Sequence, residues 1–136
     1  MLHPKISTAV WSDFLRGDYD SAVFKAFKEV EVAVRAAGGF ADSDLGVDLM
    51  RKAFHPQTGP LSDQAALSAE RQARSDLFAG AIGSDKNPSS HRRVPLGPEE
   101  TVELVMNASH LLRIVDRSKS AGSPCENWQR SVATPA

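Results

Sequence analysis

Lys86-Asn87-Pro88-Ser89-Ser90-His91, followed at once by Arg92 and Arg93, gathers the groups that phosphate chemistry needs into one short stretch. It holds a fixed cation, an amide, backbone donors and an imidazole. His91 can take or give a proton near neutral pH. Lys86, with backbone donors, can stabilise charge that develops on phosphate oxygens. On one regular helix Lys86 and His91 would point about 140° apart and could not converge. A helix start between them removes that difficulty. Asn87 is a good N-cap and Pro88 suits the first turn. The N–H groups of Ser89, Ser90 and His91 then point out of a helix N-terminus, where anions bind readily. Lys86 flanks that anion from the preceding loop, and Arg92 and Arg93 can hold neighbouring phosphates. Pro95 and Gly97 keep the turn short. Asp85 has no acidic neighbour in this stretch, so a metal-independent mechanism is preferred and no cofactor is called for. Asn-Pro-Ser-Ser is also ordinary turn and cap material, and a His beside two Arg is often a solvated surface. From the residues alone, the stretch either does chemistry or turns a corner.

The elements that must position it read as helices almost throughout. Lys5 to Arg16 carries Ile6, Ala9, Val10 and Phe14 at helical spacing, and Gly17-Asp18 breaks it. Tyr19 to Ala37 is the clearest helix. Tyr19, Ala22, Val23, Ala26, Phe27, Val30 and Val34 form one stripe, with Lys25, Lys28, Glu29 and Arg35 facing away. Asp18 is its N-cap and Gly38-Gly39 its stop. A shorter helix is expected from Ser43 or Asp44 to about Phe54, with Leu45, Leu49 and Phe54 inward. His55 to Pro60 is a loop. A long helix is predicted from about Asp63 to Ile82, with Leu67, Leu77, Phe78, Ala81 and Ile82 as its apolar positions and Gly83 as its end. The last helix is predicted from Pro98 to about Arg117. Glu99 and Glu100 complement its dipole at one end, and Arg113 and Arg117 at the other. Val102, Val105, Met106, Ser109, Leu112 and Val115 are expected to face the core. No strand alternation and no internal repeat is evident. The class is all-α, with a bundle of about five helices over residues 1–117. Residues 118–136 turn to Ser, Gly and Pro and read as a disordered tail. In it, Trp128 either docks or is solvated.

Length and charge narrow the functions. The 136 residues suit one domain with a real core. The net charge of −1 does not announce a nucleic-acid binder, so an anion site has to be a local patch. The single cysteine, Cys125, allows no intrachain disulfide and no Cys-based zinc site. A reducing cytoplasm fits. No run reaches membrane-span length, and Met1-Leu2-His3-Pro4 lacks the pattern of a signal peptide. The four histidines show no metal-ligand spacing. His3 either caps the first helix, touches the site or simply leads into the bundle. His55 is expected in solvent, and His110 as a satisfied packing residue. Gly80-Ala81-Ile82-Gly83 reads as close helix packing rather than a nucleotide cradle.

Several stretches together resemble the Ymh-type bacterial proteins of the HEPN superfamily. They are Leu2-His3-Pro4, Gly17-Asp18-Tyr19, Ala22-Val23-Phe24-Lys25-Ala26, Val30-Glu31, Leu49-Met50 through Ala53-Phe54, and Leu77 through Gly83 leading into Asn87-Pro88 and His91. The resemblance covers about Leu2 to Asp116. It implies a HEPN-like helical bundle that forms a homodimer. Active members are metal-independent endoribonucleases, often in toxin–antitoxin or antiphage defence systems, so RNA and an antitoxin or defence-system protein are the implied partners. Such enzymes use the RNA's own 2′-hydroxyl as nucleophile and leave a 2′,3′-cyclic phosphate. The resemblance assigns His91 to the family's His, Asn87 to its polar residue and Lys86 to its Arg. Lys86 is a departure, since lysine keeps the charge but loses the planar fork. Arg92, Arg93 or Arg74 could compensate. Glu31 falls where many HEPN domains keep a polar residue on an early helix. It either orients the Lys86/His91 site or is an ordinary solvated or salt-bridged glutamate. The alternative to a ribonuclease is a catalytically inactive HEPN module that binds a nucleotide, nucleic acid or a partner protein.

Overall fold

The computed structural model describes residues 1–86 and 95–121. Among them are five α-helices and no strand: α1 (Pro4–Leu15), α2 (Tyr19–Gly38), α3 (Gly46–Ala53), α4 (Ser68–Ala81) and α5 (Pro98–Ala121). A π-helical turn, Ile82–Lys86, extends α4. No helix among the described residues is long and apolar enough to cross a membrane.

Helix α2 is the hub, because its apolar stripe is wide enough to serve several neighbours. Ala22, Val23, Ala26, Phe27, Val30 and Val34 are completely buried, and Tyr19 at the start of the stripe is half-buried. The helix packs most extensively on α5 and α1, and also meets α3 and the π-helical turn. It stops at Gly38-Gly39 as its sequence signals, although Asp18 at the N-cap position makes no side-chain capping bond. On the far side, α3 packs on α4, where Phe54 and Phe78 stack with ring centroids 4.1 Å apart. Burying each such aromatic contributes about 1.5–3 kcal/mol.

Several boundaries and faces differ from the sequence reading. Helix α3 begins at Gly46 rather than at Ser43 or Asp44, because Gly46 takes φ +61°. A right-handed helix cannot run through that conformation, which glycine adopts without strain. Leu45 is consequently extended and 53% exposed, not inward. Helix α4 starts at Ser68, not near Asp63. The Asp63 carboxylate accepts the Ala65 N–H and its carbonyl the Ala66 N–H, which makes a turn instead. Leu67 and Leu77 then point outward. Gly83 does not end this helix. Glycine costs about 1 kcal/mol inside a helix, which the burial of Ile82 next to it outweighs. Helix α5 turns a different face inward. Val105, Ser109, Leu112 and Val115 are buried as expected, but Thr101, Ala108, Leu111 and Ile114 complete the core while Val102 and Met106 stay exposed. The helix also runs past Arg117 to Ala121, and residues 122–136, Trp128 included, lie outside the described residues.

Three polar devices lock the elements together. His3 is buried; its Nδ1 accepts the Lys5 N–H and so caps α1. That leaves Nε2 to donate to Asp116 of α5 at 2.7 Å, while the His3 N–H donates to Ser109 Oγ. The ring therefore clamps α1 to α5. His55 is exposed as expected, with its Nδ1 accepting the Gln57 and Thr58 N–H groups. His110 is exposed rather than packed. Asp13, on the buried face of α1, is tied to Arg16, to Lys25 at 2.7 Å and to Ser21 at 3.1 Å. Finally, Gly59 sits where a Cβ would lie 2.4 Å from the His55 nitrogen. Only glycine lets the loop after α3 close that tightly, and the closure puts Leu61 N–H on the Ala53 carbonyl and Leu61 into the core.

Candidate functional site

The described half of the site is built around Glu31. This residue follows Val30 on the inward side of α2, so its carboxylate is carried to where α2 meets the start of α3 and the π-helical turn. It is 1% exposed. Four donors surround it. Lys86 Nζ lies 3.1 Å from Oε2 and the Gly46 N–H donates to the same oxygen at 3.3 Å. Lys28 Nζ at 3.4 Å and Arg35 Nη1 at 3.5 Å approach Oε1. Arg35 also donates to the Asp44 carbonyl at 3.1 Å, which braces the turn that delivers Gly46.

Each contact has a local cause. Lys28 and Arg35 stand one turn before and after Glu31 on the same helix, the spacing at which side chains meet. Gly46 presents its N–H because its left-handed φ turns the backbone toward α2. Lys86 arrives through the π-helical turn. An i→i+5 turn packs more residues into each revolution than an α-helix, so successive side chains lag the α-helical direction. That lag lets Lys86 face α2. Its side chain is 13% exposed, and its ammonium also lies 5.5 Å from the Phe24 ring centroid, within reach of a cation–π attraction.

Burial pushes the Glu31 carboxyl upward, but the Lys86 hydrogen bond and charge, the Lys28 charge and the Gly46 N–H outweigh it. The group is held below the usual glutamate range. Glu31 is thus favoured as the anion beside three cations. Next to Lys86, Asp85 behaves oppositely. Burial raises its carboxyl above the usual aspartate range, although hydrogen bonds from Ser84 and from Asn107 of α5 oppose the shift. Among the described residues no three His, Cys, Asp or Glu side chains are grouped to hold a metal ion.

Of the sequence-predicted site residues, Lys86 and Glu31 are brought together. Asn87, Ser89, Ser90, His91, Arg92 and Arg93 lie outside the described residues. Arg74 is on α4, far from this cluster along the helix. The sequence reading missed Phe24, Lys28, Arg35, Gly46 and Asn107, and placed Lys28 and Arg35 facing away. The spacing Lys28, Glu31, Arg35 was the available signal. It was masked because one charged position beside an apolar stripe is usually solvated.

A family model described as "Protein of unknown function (Hypoth_ymh)" matches residues 1–115. The chain belongs to the Hypoth_ymh family. The match spans all of the Glu31–Lys86 cluster and most of α5, so the cluster lies within the part that the family shares. No curated protein matches the chain, and no solved structure does.

Proposed function

We propose that the chain is a metal-independent endoribonuclease of HEPN type, working as a cytoplasmic homodimer in a toxin–antitoxin or antiphage defence setting. The RNA 2′-oxygen attacks the adjacent phosphorus and the bond to the 5′-oxygen breaks. His91 takes the 2′-hydroxyl proton or supplies the proton that the departing 5′-oxygen needs. Lys86 stabilises the charge that grows on the phosphate oxygens, Asn87 fixes the turn, and Ser89, Ser90, Arg92 and Arg93 hold the RNA backbone.

The observation that carries this reading is the 3.1 Å contact between Lys86 and the buried Glu31. Preorganised charge is worth most where its support is rigid and shielded from water. A lysine at the edge of a corner-turning loop has no need of a buried counter-ion, whereas one that must present its ammonium in a fixed direction does. Glu31 therefore acts as a positioning residue for Lys86.

The same contact favours a second reading. A lysine already paired with a carboxylate has less charge to lend a transition state, which suits a catalytically inactive module that binds a nucleotide, nucleic acid or a partner protein. Mixed-sequence RNA incubated in excess EDTA separates the two. The parent chain should give 2′,3′-cyclic phosphate ends, and His91→Ala should give none while keeping its helical content. Normal cleavage by that variant removes His91 from the mechanism, and no cleavage by the parent favours the binding module.

A further inference from the structure

Helix α5 carries an outward face that no other helix among the described residues covers. Val102 and Met106 stand on it, 43% and 57% exposed. With Trp11 of α1, which is 61% exposed, they line an open groove of about 440 Å³ between the two helices. Leu15, one turn on from Trp11, is exposed as well. Both helices are held by their inward faces on α2, and the groove between them stays open. Single apolar side chains on a surface need no explanation, but a tryptophan and a methionine grouped along one groove mark a contact surface.

The charges on this face have an order that says what the contact is. Glu99, Glu103, Met106, His110, Arg113 and Arg117 are all exposed and lie within about 60° of the Met106 direction around α5. They form a stripe about 27 Å long, acidic at its start, apolar at its middle and basic at its end. The helix dipole accounts for Glu99 alone. Its influence is confined to the first and last turns. Glu103 lies in the second turn, and Arg113 and Arg117 come before the last one because α5 runs on to Ala121. Glu99 with Glu103, and Arg113 with Arg117, stand four residues apart, where like charges destabilise an isolated helix. None of the four makes an ion pair among the described residues. Arg113 spends one nitrogen on the Met1 carbonyl, at 2.9 Å. A second α5 laid antiparallel answers this pattern. With the two helices meeting at the level of Ala108, Glu99 faces Arg117 of the other copy, Glu103 faces Arg113 and Met106 faces His110, because the members of each pair are equally far from Ala108 in the sequence. A two-fold axis makes each of these contacts twice. A parallel pairing would set glutamate on glutamate and arginine on arginine.

We propose that this face binds a second copy of the chain, with two α5 helices packed antiparallel around Met106, the charged ends paired across the axis and Trp11 covered at the flank. The pairing gives a surface to the homodimer put forward above and rests on that reading for two copies, but on none of its cleavage chemistry. Sedimentation of the full chain over a micromolar concentration series reads assembly alone. A monomer that cleaves RNA would therefore sink the pairing and leave the chemistry standing, and a dimer that cleaves nothing would do the reverse. The parent should sediment as a dimer that dissociates on dilution and with rising salt. E103R and R113E should each weaken the dimer about tenfold or more at unchanged helical content, since each puts like charges together twice. E103R/R113E restores opposite charges and should bring association back to within about threefold of the parent. E70R, the same charge change at an exposed position on α4, should have no effect. The proposal is overturned if the parent is a monomer throughout, which would leave a different protein to cover the face. It is also overturned if the parent dimerises but E103R and R113E leave the dimer unchanged, or if combining them does not restore it.

Discussion

Two carboxylates among the described residues are 1% exposed, and they are buried in different ways. Asp13 on α1 is covered by the side chains it binds: Arg16 from its own helix, and Lys25 and Ser21 from the next. The arginine and lysine remain 64% and 47% exposed, so this knot closes a local corner near the surface. Glu31 lies deeper, and its shortest contact is to Lys86, a residue 13% exposed and far along the chain. A carboxylate that only staples two neighbouring helices can use solvated cations. One that draws a distant lysine out of solvent pays desolvation for both charges, and that cost points to a requirement for where the lysine sits.

The largest way to sharpen the comparison is to neutralise each acid. Glu31→Gln removes the carboxylate that Lys86 and Arg35 share under cover. It should cost roughly 3 kcal/mol in urea unfolding. Asp13→Asn releases cations that water can reach, and should cost about 1–2 kcal/mol. Equal losses would erase the distinction between the knots.

Lys86→Arg asks what the tethered group must be. A guanidinium keeps the charge and can still meet Glu31, so cleavage should be preserved or raised. A clear loss of rate at unchanged stability would count against the proposed role of Lys86.

A pH series separates the acids by sign. The Lys25 hydrogen bond, against the upward push of burial, holds Asp13 below its ordinary range, and Glu31 is also held low. Each therefore stabilises the fold above its unfolded pKa, near about 4. That stability is lost as pH falls through the lower folded value. Asp85 is raised by burial, so its contribution is present below the unfolded pKa and is lost as pH rises through the folded one. The urea midpoint of the parent should fall below about pH 4. Asp85→Asn should have a higher midpoint than the parent at pH 7 and converge with it in acid. A lower midpoint at pH 7 would show that Asp85 is stabilised as the anion.

The smallest effects belong to the surface pairs. Arg51–Asp76 is solvated on both sides and Lys52–Asp44 on its lysine side, and Lys52→Gln should leave the urea midpoint unchanged within error.

The helices were legible where apolar spacing was regular and a glycine in the left-handed region made the stop, as Gly39 does at φ +69°. The α2 stripe and its Gly38-Gly39 end show this. The periodicity could not choose between adjacent faces on α5. Val102 and Met106 are as apolar as Leu111 and Ile114, and only the angle at which α5 crosses α2 decides which pair is buried. Gly83 read as a stop because a sequence does not reveal that Ile82 is anchored on both sides. For the site, Lys86 and Glu31 were picked out separately, Glu31 through a resemblance. Their contact joins elements that come together only in the folded bundle.

The central claim is that Glu31 holds Lys86 for chemistry while Asp13 holds only the fold. Single-turnover cleavage of mixed-sequence RNA in EDTA tests it most directly, comparing the parent, Glu31→Gln and Asp13→Asn at equal folded fraction. The account predicts a rate at least about tenfold lower for Glu31→Gln and the parent rate for Asp13→Asn. Equal rates in the two variants, or no cleavage by the parent, would contradict it.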